Sequence, residues 1–205
     1  MAPIRLFSGP LSMFGAKAHI AALEKGFDVD LTLVPFTADD RYHPKHTDVS
    51  RINPKQQVPV LIHGDLEIFD STQIFEYLED LAPDPALWPP EPAGRARARQ
   101  LEHRSDEVFF PDVVRLMGLQ DAPNDPAAVA AQAAIADYYQ AIEEQIADGD
   151  YLAGAYTYAD IAFFMAQLFA AHMSAPTPAV QEALKPMIAL LASKNRTVPE
   201  FLNAP

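Results

Sequence analysis

Five prolines in a short stretch constrain the fold of this chain more than any other feature. They stand at positions 83, 85, 89, 90 and 92, immediately after Ala82 and on both sides of Glu91. Neither a helix interior nor a sheet interior tolerates that density, because proline lacks the backbone N–H that both structures use. The segment predicts a linker over residues 83–92, between a domain over 1–82 and a domain over 93–205. Each part is long enough to bury a core of its own.

The part before the linker alternates between strand and helix patterns. Apolar residues recur at every second position in the strands and at helical spacing in the helices, with turn residues between them. In order, the pattern predicts a strand over 4–8, a helix over 13–25, a strand over 27–34, strands over 58–62 and 66–69, and a helix that begins at Asp70. This part therefore has the order βαβ followed by ββα.

Only helical patterns follow the linker. They predict helices over residues 93–117, 126–146 and 157–172, and shorter helical pieces over 179–193. Thr157 and Asp160 have the S/T-x-x-D spacing of a capping box, which is a structural motif. The fold class is therefore an α/β domain followed by an all-α domain.

Charge and cysteine content exclude several kinds of function. The net charge of -13 disfavours nucleic acid and anionic membranes as partners, since both attract clustered Lys and Arg. With no cysteine, the chain has neither disulfides nor a cysteine nucleophile, so the thiol in any thiol chemistry comes from a ligand. The histidines show no metal-ligand spacing, which predicts no metal site. No run spans a bilayer and no signal-peptide pattern is present, so a cytoplasmic location is expected.

Four segments in order carry a resemblance to a known family. They are residues 6–14 (LFSGPLSMF), 53–61 (NPKQQVPVL), 70–78 (DSTQIFEYL) and 157–161 (TYADI). The chain thereby resembles the cytosolic glutathione transferase superfamily, in its serine-type theta-like and tau-like classes. The resemblance implies a thioredoxin-like glutathione-binding domain, an all-helical second domain, glutathione as co-substrate, and a cytoplasmic homodimer with a role in detoxification.

The resemblance also implies which group activates the glutathione thiol. Ser12 lies at a strand-to-helix turn and matches the catalytic serine of these classes. Its hydroxyl would donate a hydrogen bond to the sulfur above the helix N-terminus, and a thiol pKa lowered by two units corresponds to about 2.7 kcal/mol. Ser8 is the competing candidate, and an N-cap role without chemistry is the structural alternative for Ser12.

The remaining glutathione contacts are carried over from the family at matching positions. A cis peptide bond before Pro59 would turn the Val58 backbone toward an extended ligand. Asp70 and Ser71, at a helix N-terminus, suit the γ-glutamyl group. The other residues assigned to this site are Phe14, in the first turn, and Lys45 and Gln57, at positions that contact the glycyl carboxylate.

A locally basic segment accompanies these contacts. Between residues 41 and 55 there are four cations, Arg41, Lys45, Arg51 and Lys55, against one carboxylate, Asp48. A dianionic peptide is expected to dock beside such a segment. For Arg41, His43 and His46 the alternative of a solvated polar loop is preferred.

The second substrate is expected to be hydrophobic. Phe109, Phe110, Val113 and Met117 recur near helical spacing and are assigned to its pocket, although each could equally be a core residue. The expected reaction is conjugation of the glutathione thiolate to a hydrophobic electrophile. The alternatives are a glutathione-dependent dehalogenase or β-aryl ether cleaving enzyme, and a non-catalytic binding or regulatory protein with this fold.

Overall fold

The computed structural model describes residues 2–37, 39–146 and 149–172, which form two compact units, one up to Ala86 and one from Leu87 onward. The first unit contains strands β1 to β4 and helices α1 to α3. Their bounds are β1 Ile4–Ser8, α1 Met13–Glu24, β2 Val29–Leu33, α2 Thr47–Ile52, β3 Val60–His63, β4 Leu66–Phe69 and α3 Ser71–Leu81. The predicted βαβ–ββα order is confirmed, with α2 added to it.

The four strands form one mixed sheet in the order β2-β1-β3-β4. β1 pairs with β2 in parallel, whereas β3 runs antiparallel to both β1 and β4. Strand alternation puts Leu6 and Leu61 on one face, against α1 and α3, and Phe7 and Val60 on the other. Apolar side chains thus cover both faces of the sheet.

Helix α1 ends close to the predicted position, just before a glycine. Gly26 has a φ of 76°, a left-handed conformation that glycine adopts without a steric penalty. Its N–H donates to Leu23 O at 2.9 Å and the Phe27 N–H donates to Ala22 O at 2.9 Å, so both orphan carbonyls are bonded. Gly26 therefore stops the helix and turns the chain toward β2.

A buried ion pair holds the end of α1 to α3. Lys25, whose side chain is fully buried, lies with its Nζ 2.5 Å from a carboxylate oxygen of Glu79. The same Nζ donates to Pro85 O at 2.8 Å. Because both charges are largely removed from water, their mutual attraction offsets part of the cost of burying them.

The short helix α2 does not follow from the sequence pattern, which indicates only a polar stretch there. His46 caps the helix, with its Nδ1 accepting the Asp48 N–H at 3.3 Å. Val49 is buried beneath it in the cluster that includes Phe7. One buried residue and a histidine cap are too weak a signal for a periodicity argument.

The second unit is helical throughout its elements, as expected. Its helices are α4 Pro92–Arg104, α5 Phe110–Met117, α6 Pro126–Ile146 and α7 Tyr158–His172, with a π-helical segment over Ser105–Phe109. The fold class is thereby confirmed. The pieces predicted over 179–193 lie outside the described residues.

The helix predicted over 93–117 is two helices joined by the π-helical segment. Pro111 has no N–H to donate to the preceding turn. In the segment before it, the Phe110 N–H donates to Ser105 O, five residues back. The wider turn resets the hydrogen-bond pattern immediately before the proline.

The start of α7 confirms the predicted capping box. The Asp160 carboxylate accepts from the Thr157 N–H at 2.8 Å and hydroxyl at 3.0 Å, and from the Leu152 N–H at 2.9 Å. Asp160 is fully buried, and burial raises its pKa above the ordinary value. These hydrogen bonds oppose that rise, because they favour the ionised carboxylate.

Candidate functional site

The sheet topology brings three of the predicted site segments to one edge of the first unit. Register pairs Phe7, near the end of β1, with Val60, at the start of β3, and pairs Val60 with Phe69, at the end of β4. The chain after β1, the chain before β3 and the chain after β4 therefore leave the sheet on the same side. Those stretches are the β1–α1 turn with Ser12, the Val58–Pro59 dipeptide and the Asp70–Ser71 helix start.

Ser12 is the N-cap of α1 and is only partly buried. Its Oγ accepts the Gly15 N–H at 3.0 Å, and its own N–H donates to Gly9 O at 3.0 Å. A hydroxyl has one proton and two lone pairs, so this capping bond leaves its proton available. Among the described residues that proton has no acceptor. Ser12 can thus cap the helix and donate to a ligand at the same time.

Ser8 has a different environment. It is fully buried, and its hydroxyl has no hydrogen-bond partner among the described residues. It lies against α1, where a Cβ added to Gly15 would stand 2.1 Å from Ser8 Oγ and 3.2 Å from Ser12 Oγ. The exposure of the two serines therefore favours Ser12 as the hydroxyl that a ligand can reach.

The Val58–Pro59 peptide bond is cis, as the family resemblance implied. Pro59 is buried and Val58 is partly exposed, immediately before β3 begins. Within the described part of the chain, the Val58 backbone makes no hydrogen bond. Its N–H and C=O are free to pair with an extended peptide, as an added strand would.

Asp70 combines a helix cap with an uncommon backbone conformation. Its Oδ1 accepts the N–H groups of Thr72 at 3.0 Å and Gln73 at 3.2 Å. Its φ is 76°, a region that few non-glycine residues occupy and that recurs in ligand clamps. Oδ2 has no partner in the described ranges. The capping and ligand-binding interpretations are therefore compatible.

The other assigned glutathione contacts are placed as follows. Lys45 is partly buried and has no ion pair among the described residues, and the Gln57 side chain is exposed. Asn53 Nδ2 donates to Gln57 O at 2.6 Å, which fixes the backbone at that point. Phe14, partly buried on α1, lies 5.6 Å from Lys17 Nζ, measured from its ring centre. Their roles toward a ligand remain predictions.

The basic segment is less basic than its sequence indicates. Arg51 makes two hydrogen bonds to the Glu67 carboxylate, at 2.6 and 2.7 Å, and one to Asp48 at 3.3 Å. The Arg51 hydrogen bonds lower the pKa of Glu67. Glu67 lies on β4, distant in sequence, so a count over residues 41–55 could not include it.

The residues assigned to the second-substrate pocket differ in burial. Phe109 and Val113 are fully buried in the helical unit, and Phe109 contacts aromatic rings on α6 and α7. Phe110 and Met117 are partly exposed, and the Phe110 ring lies 5.3 Å from that of Phe169. Burial favours a core role for the first two, and the pocket assignment remains a prediction.

Sequence reasoning missed Tyr42, which contacts the Ser12 turn. Its hydroxyl accepts the Leu11 N–H at 3.3 Å. The only sequence signal for this contact was an aromatic residue in a polar segment. Gly9, on which Tyr42 packs, has the sequence pattern of an ordinary turn residue.

Residues 2–37, 39–146 and 149–172 lack two kinds of feature. No helix there is both long and apolar enough to cross a bilayer. The same residues contain no group of three or more His, Asp or Glu side chains arranged to hold a metal ion.

Comparison with known proteins matches both units to the same family. The glutathione S-transferase N-terminal domain matches residues 2–80, and the glutathione S-transferase C-terminal domain matches residues 107–185. A glutathione S-transferase from Rhodospirillum rubrum F11 is 27% identical with a TM-score of 0.81, over 98% of this chain and 93% of that one. One from Methylobacterium radiotolerans, in complex with glutathione sulfonate, is 27% identical with a TM-score of 0.74, over 98% and 93%.

Curated relatives match over a shorter range. A stringent starvation protein A homolog from Coxiella burnetii is 37% identical over 105 residues, which are 51% of this chain and 47% of the relative. Glutathione S-transferase 1 from Dianthus caryophyllus is 34% identical over 116 residues, 57% and 49% respectively. The chain spans about half the length of the curated relatives it matches.

Proposed function

We propose, from the premise that this chain belongs to the glutathione S-transferase family, that it binds glutathione and transfers its thiolate to a hydrophobic electrophile. The observation that carries the proposal is the partly exposed Ser12 hydroxyl. It caps α1 through one lone pair and keeps its proton for a ligand. It also shares a sheet edge with the Val58 backbone and the Asp70 cap.

Glutathione would bind as an extended peptide along this edge. The Val58 N–H and C=O pair with the cysteinyl residue, and Ser71, at the N-terminus of α3, binds the γ-glutamyl carboxylate. Asp70 Oδ2 faces the γ-glutamyl ammonium. Lys45 and Gln57 bind the glycyl carboxylate. The cysteinyl sulfur is then directed toward the turn between β1 and α1.

The chemistry needs a thiolate, because the thiol is a poor nucleophile. A hydrogen bond from Ser12 and the positive end of the α1 dipole both favour the charged sulfur. The thiol proton passes to solvent. The sulfur lone pair forms a bond to the electrophilic carbon, and a leaving group such as halide departs with the electrons of the broken bond. Ser12 forms no covalent bond in this scheme.

The test compares Ser12→Ala, Ser12→Thr and Ser8→Ala. Thiolate absorbance of bound glutathione is followed against pH, with chlorodinitrobenzene conjugation measured in parallel. We expect Ser12→Ala to raise the thiol pKa by about two units and to lower kcat about 100-fold. Ser12→Thr keeps a hydroxyl that can cap and donate, so it retains most of the activity. Ser8→Ala retains the thiol pKa.

Each contrary result has a definite meaning. Loss of thiol activation in Ser8→Ala but not Ser12→Ala would transfer the role to Ser8. An unchanged thiol pKa in both variants would leave the backbone amides of α1 as the activating groups. Absence of glutathione binding in the wild type would refute the proposed function.

Two alternatives to conjugation can be distinguished by experiment. A dehalogenase or β-aryl ether cleaving enzyme uses the same thiolate, and turnover of a haloalkane or an aryl ether in place of chlorodinitrobenzene distinguishes it. The relatives named stringent starvation protein A homologs support the non-catalytic alternative. Glutathione binding without turnover of any of these compounds would favour that alternative.

We also propose a cytoplasmic homodimer, on the family resemblance. Sedimentation equilibrium of the full chain tests the assembly state, and cell fractionation tests the location.

A further inference from the structure

Tyr42 lies between β2 and α2 and packs directly on the β1–α1 turn. Besides its hydrogen bond from the Leu11 N–H at 3.3 Å, its ring fills the space beside Gly9. A Cβ added to Gly9 would stand 2.5 Å from Tyr42 Cε1 and 2.6 Å from its hydroxyl oxygen, far inside van der Waals contact. Glycine at this position therefore lets the phenol approach the backbone of the turn.

The phenol is itself held in place by its own segment. The Tyr42 ring lies 4.8 Å from that of Phe36, and it packs against the buried cluster that includes Phe7. Just before it, Thr37 and Arg41 exchange two backbone hydrogen bonds, of 3.0 and 2.8 Å. Tyr42 thus projects from a closed loop onto the turn.

The turn leads directly to the proposed thiol-activating group. The Ser12 N–H closes the turn on Gly9 O, and the Leu11 N–H between them is bonded to the phenol. Burial raises the pKa of Tyr42, so the phenol stays protonated at neutral pH. One side chain therefore contacts the turn at both Gly9 and Leu11.

We propose that Tyr42 is a positioning residue that fixes the 9–12 turn and thereby holds the Ser12 hydroxyl at the distance needed to stabilise the glutathione thiolate. This inference rests on the proposed function. Lys45 follows Tyr42 closely in the same segment. The segment that would bind the glycyl carboxylate is therefore physically joined to the one that would activate the sulfur.

The test is Tyr42→Phe, which keeps the ring on Gly9 and removes only the hydroxyl. Tyr77→Phe is the matched control, because Tyr77 is a partly buried tyrosine of the same unit whose hydroxyl bonds His63 Nδ1 at 2.6 Å instead. We expect Tyr42→Phe to speed hydrogen exchange at the Leu11 amide about tenfold, since the amide loses its acceptor. We also expect the bound thiol pKa to rise by about one unit and kcat to fall about tenfold, with KM for glutathione within about twofold.

Gly9→Ala provides a second variant, because its Cβ would displace the ring rather than remove the hydroxyl. It should shift the thiol pKa in the same direction, with Tyr77→Phe unchanged in every readout. An unchanged thiol pKa and kcat in Tyr42→Phe would overturn the inference. So would a rise in KM for glutathione alone, which would instead identify a direct ligand contact.

Hydrogen exchange without glutathione separates this inference from the proposed function. If the wild type binds no glutathione, the proposed function and the catalytic consequence fail together. Faster Leu11 exchange in Tyr42→Phe would even then support the fixed turn, and an unchanged rate would overturn it.

Discussion

Gly15→Ala tests how closely β1 and α1 approach behind the Ser12 turn. At an open helical position, alanine stabilises a protein by about 1 kcal/mol relative to glycine. Here the new Cβ would stand 2.1 Å from Ser8 Oγ and 3.0 Å from Ser8 Cβ. Ser8 is fully buried, so its hydroxyl has little room to turn away. Overpacking typically costs about 1–3 kcal/mol, and a 2.1 Å approach to a buried atom places the cost in the upper part of that range, at about 2–3 kcal/mol. Subtracting the gain of about 1 kcal/mol leaves a net loss of about 1–2 kcal/mol.

The assay is urea unfolding followed by circular dichroism, with the free energy of unfolding compared at constant slope. Gly118→Ala is the control, since Gly118 has a φ of -78° and its added Cβ would meet Arg115 O at an ordinary 3.5 Å. It should be unchanged or up to about 1 kcal/mol more stable. The Cβ that Gly15→Ala adds would also stand 3.2 Å from Ser12 Oγ, so this variant should reduce thiol activation as well.

The contact responsible can be identified by adding Ser8→Ala. Alone, this change removes a buried hydroxyl with no partner among the described residues, so it should cost little or stabilise the protein. In the Gly15→Ala background it should recover at least about half of the loss, because the nearest atom is gone while Ser8 Cβ remains. A Gly15→Ala protein as stable as the wild type would refute the reasoning. Failure of Ser8→Ala to rescue it would show that the strain lies elsewhere.

Two further predictions concern buried charges. Lys25→Met should destabilise the protein by about 3 kcal/mol, because it removes the cation that faces the buried Glu79 carboxylate, and adding Glu79→Leu should restore at least about half of that loss; equal stabilities in urea unfolding would contradict the pairing. Because burial raises the folded pKa of Asp160, the free energy of unfolding should decrease as pH rises from the ordinary carboxyl pKa through the folded one. Asp160→Asn should lack that slope. Urea unfolding of both proteins across acidic pH measures it, and an identical slope in the wild type and the variant would refute the prediction.

The sequence predicted those parts of the fold whose signals are local. Gly26 ends α1, Asp70 caps α3 and the Thr157–Asp160 box begins α7, and each is a short-range backbone requirement that one or two residues satisfy. The order of strands and helices likewise follows from periodicity, whereas the sheet edge at which the site segments meet follows only from the strand pairing.

Features that depend on distant partners could not be read in the same way. The Arg51–Glu67 pair joins α2's last turn to β4, and the approach of Gly15 to Ser8 depends on how a helix lies on a strand. The π-helical segment before Pro111 keeps helical periodicity in the sequence while changing the hydrogen-bond pattern. The candidate site was predicted from family resemblance, whereas the difference in exposure between Ser8 and Ser12 needed coordinates.

The capping bond of the Ser12 hydroxyl, taken with its proposed role toward the thiol, has an evolutionary consequence. Because the same oxygen caps α1, a lineage that gave up thiol chemistry would still be selected for a capping residue at this position. Serine there would then persist by selection on folding alone. Aspartate or asparagine caps a helix as well as serine does, but an aspartate would repel the thiolate. Replacement of this serine by aspartate would therefore mark a descendant of the protein that had lost catalysis but retained the fold.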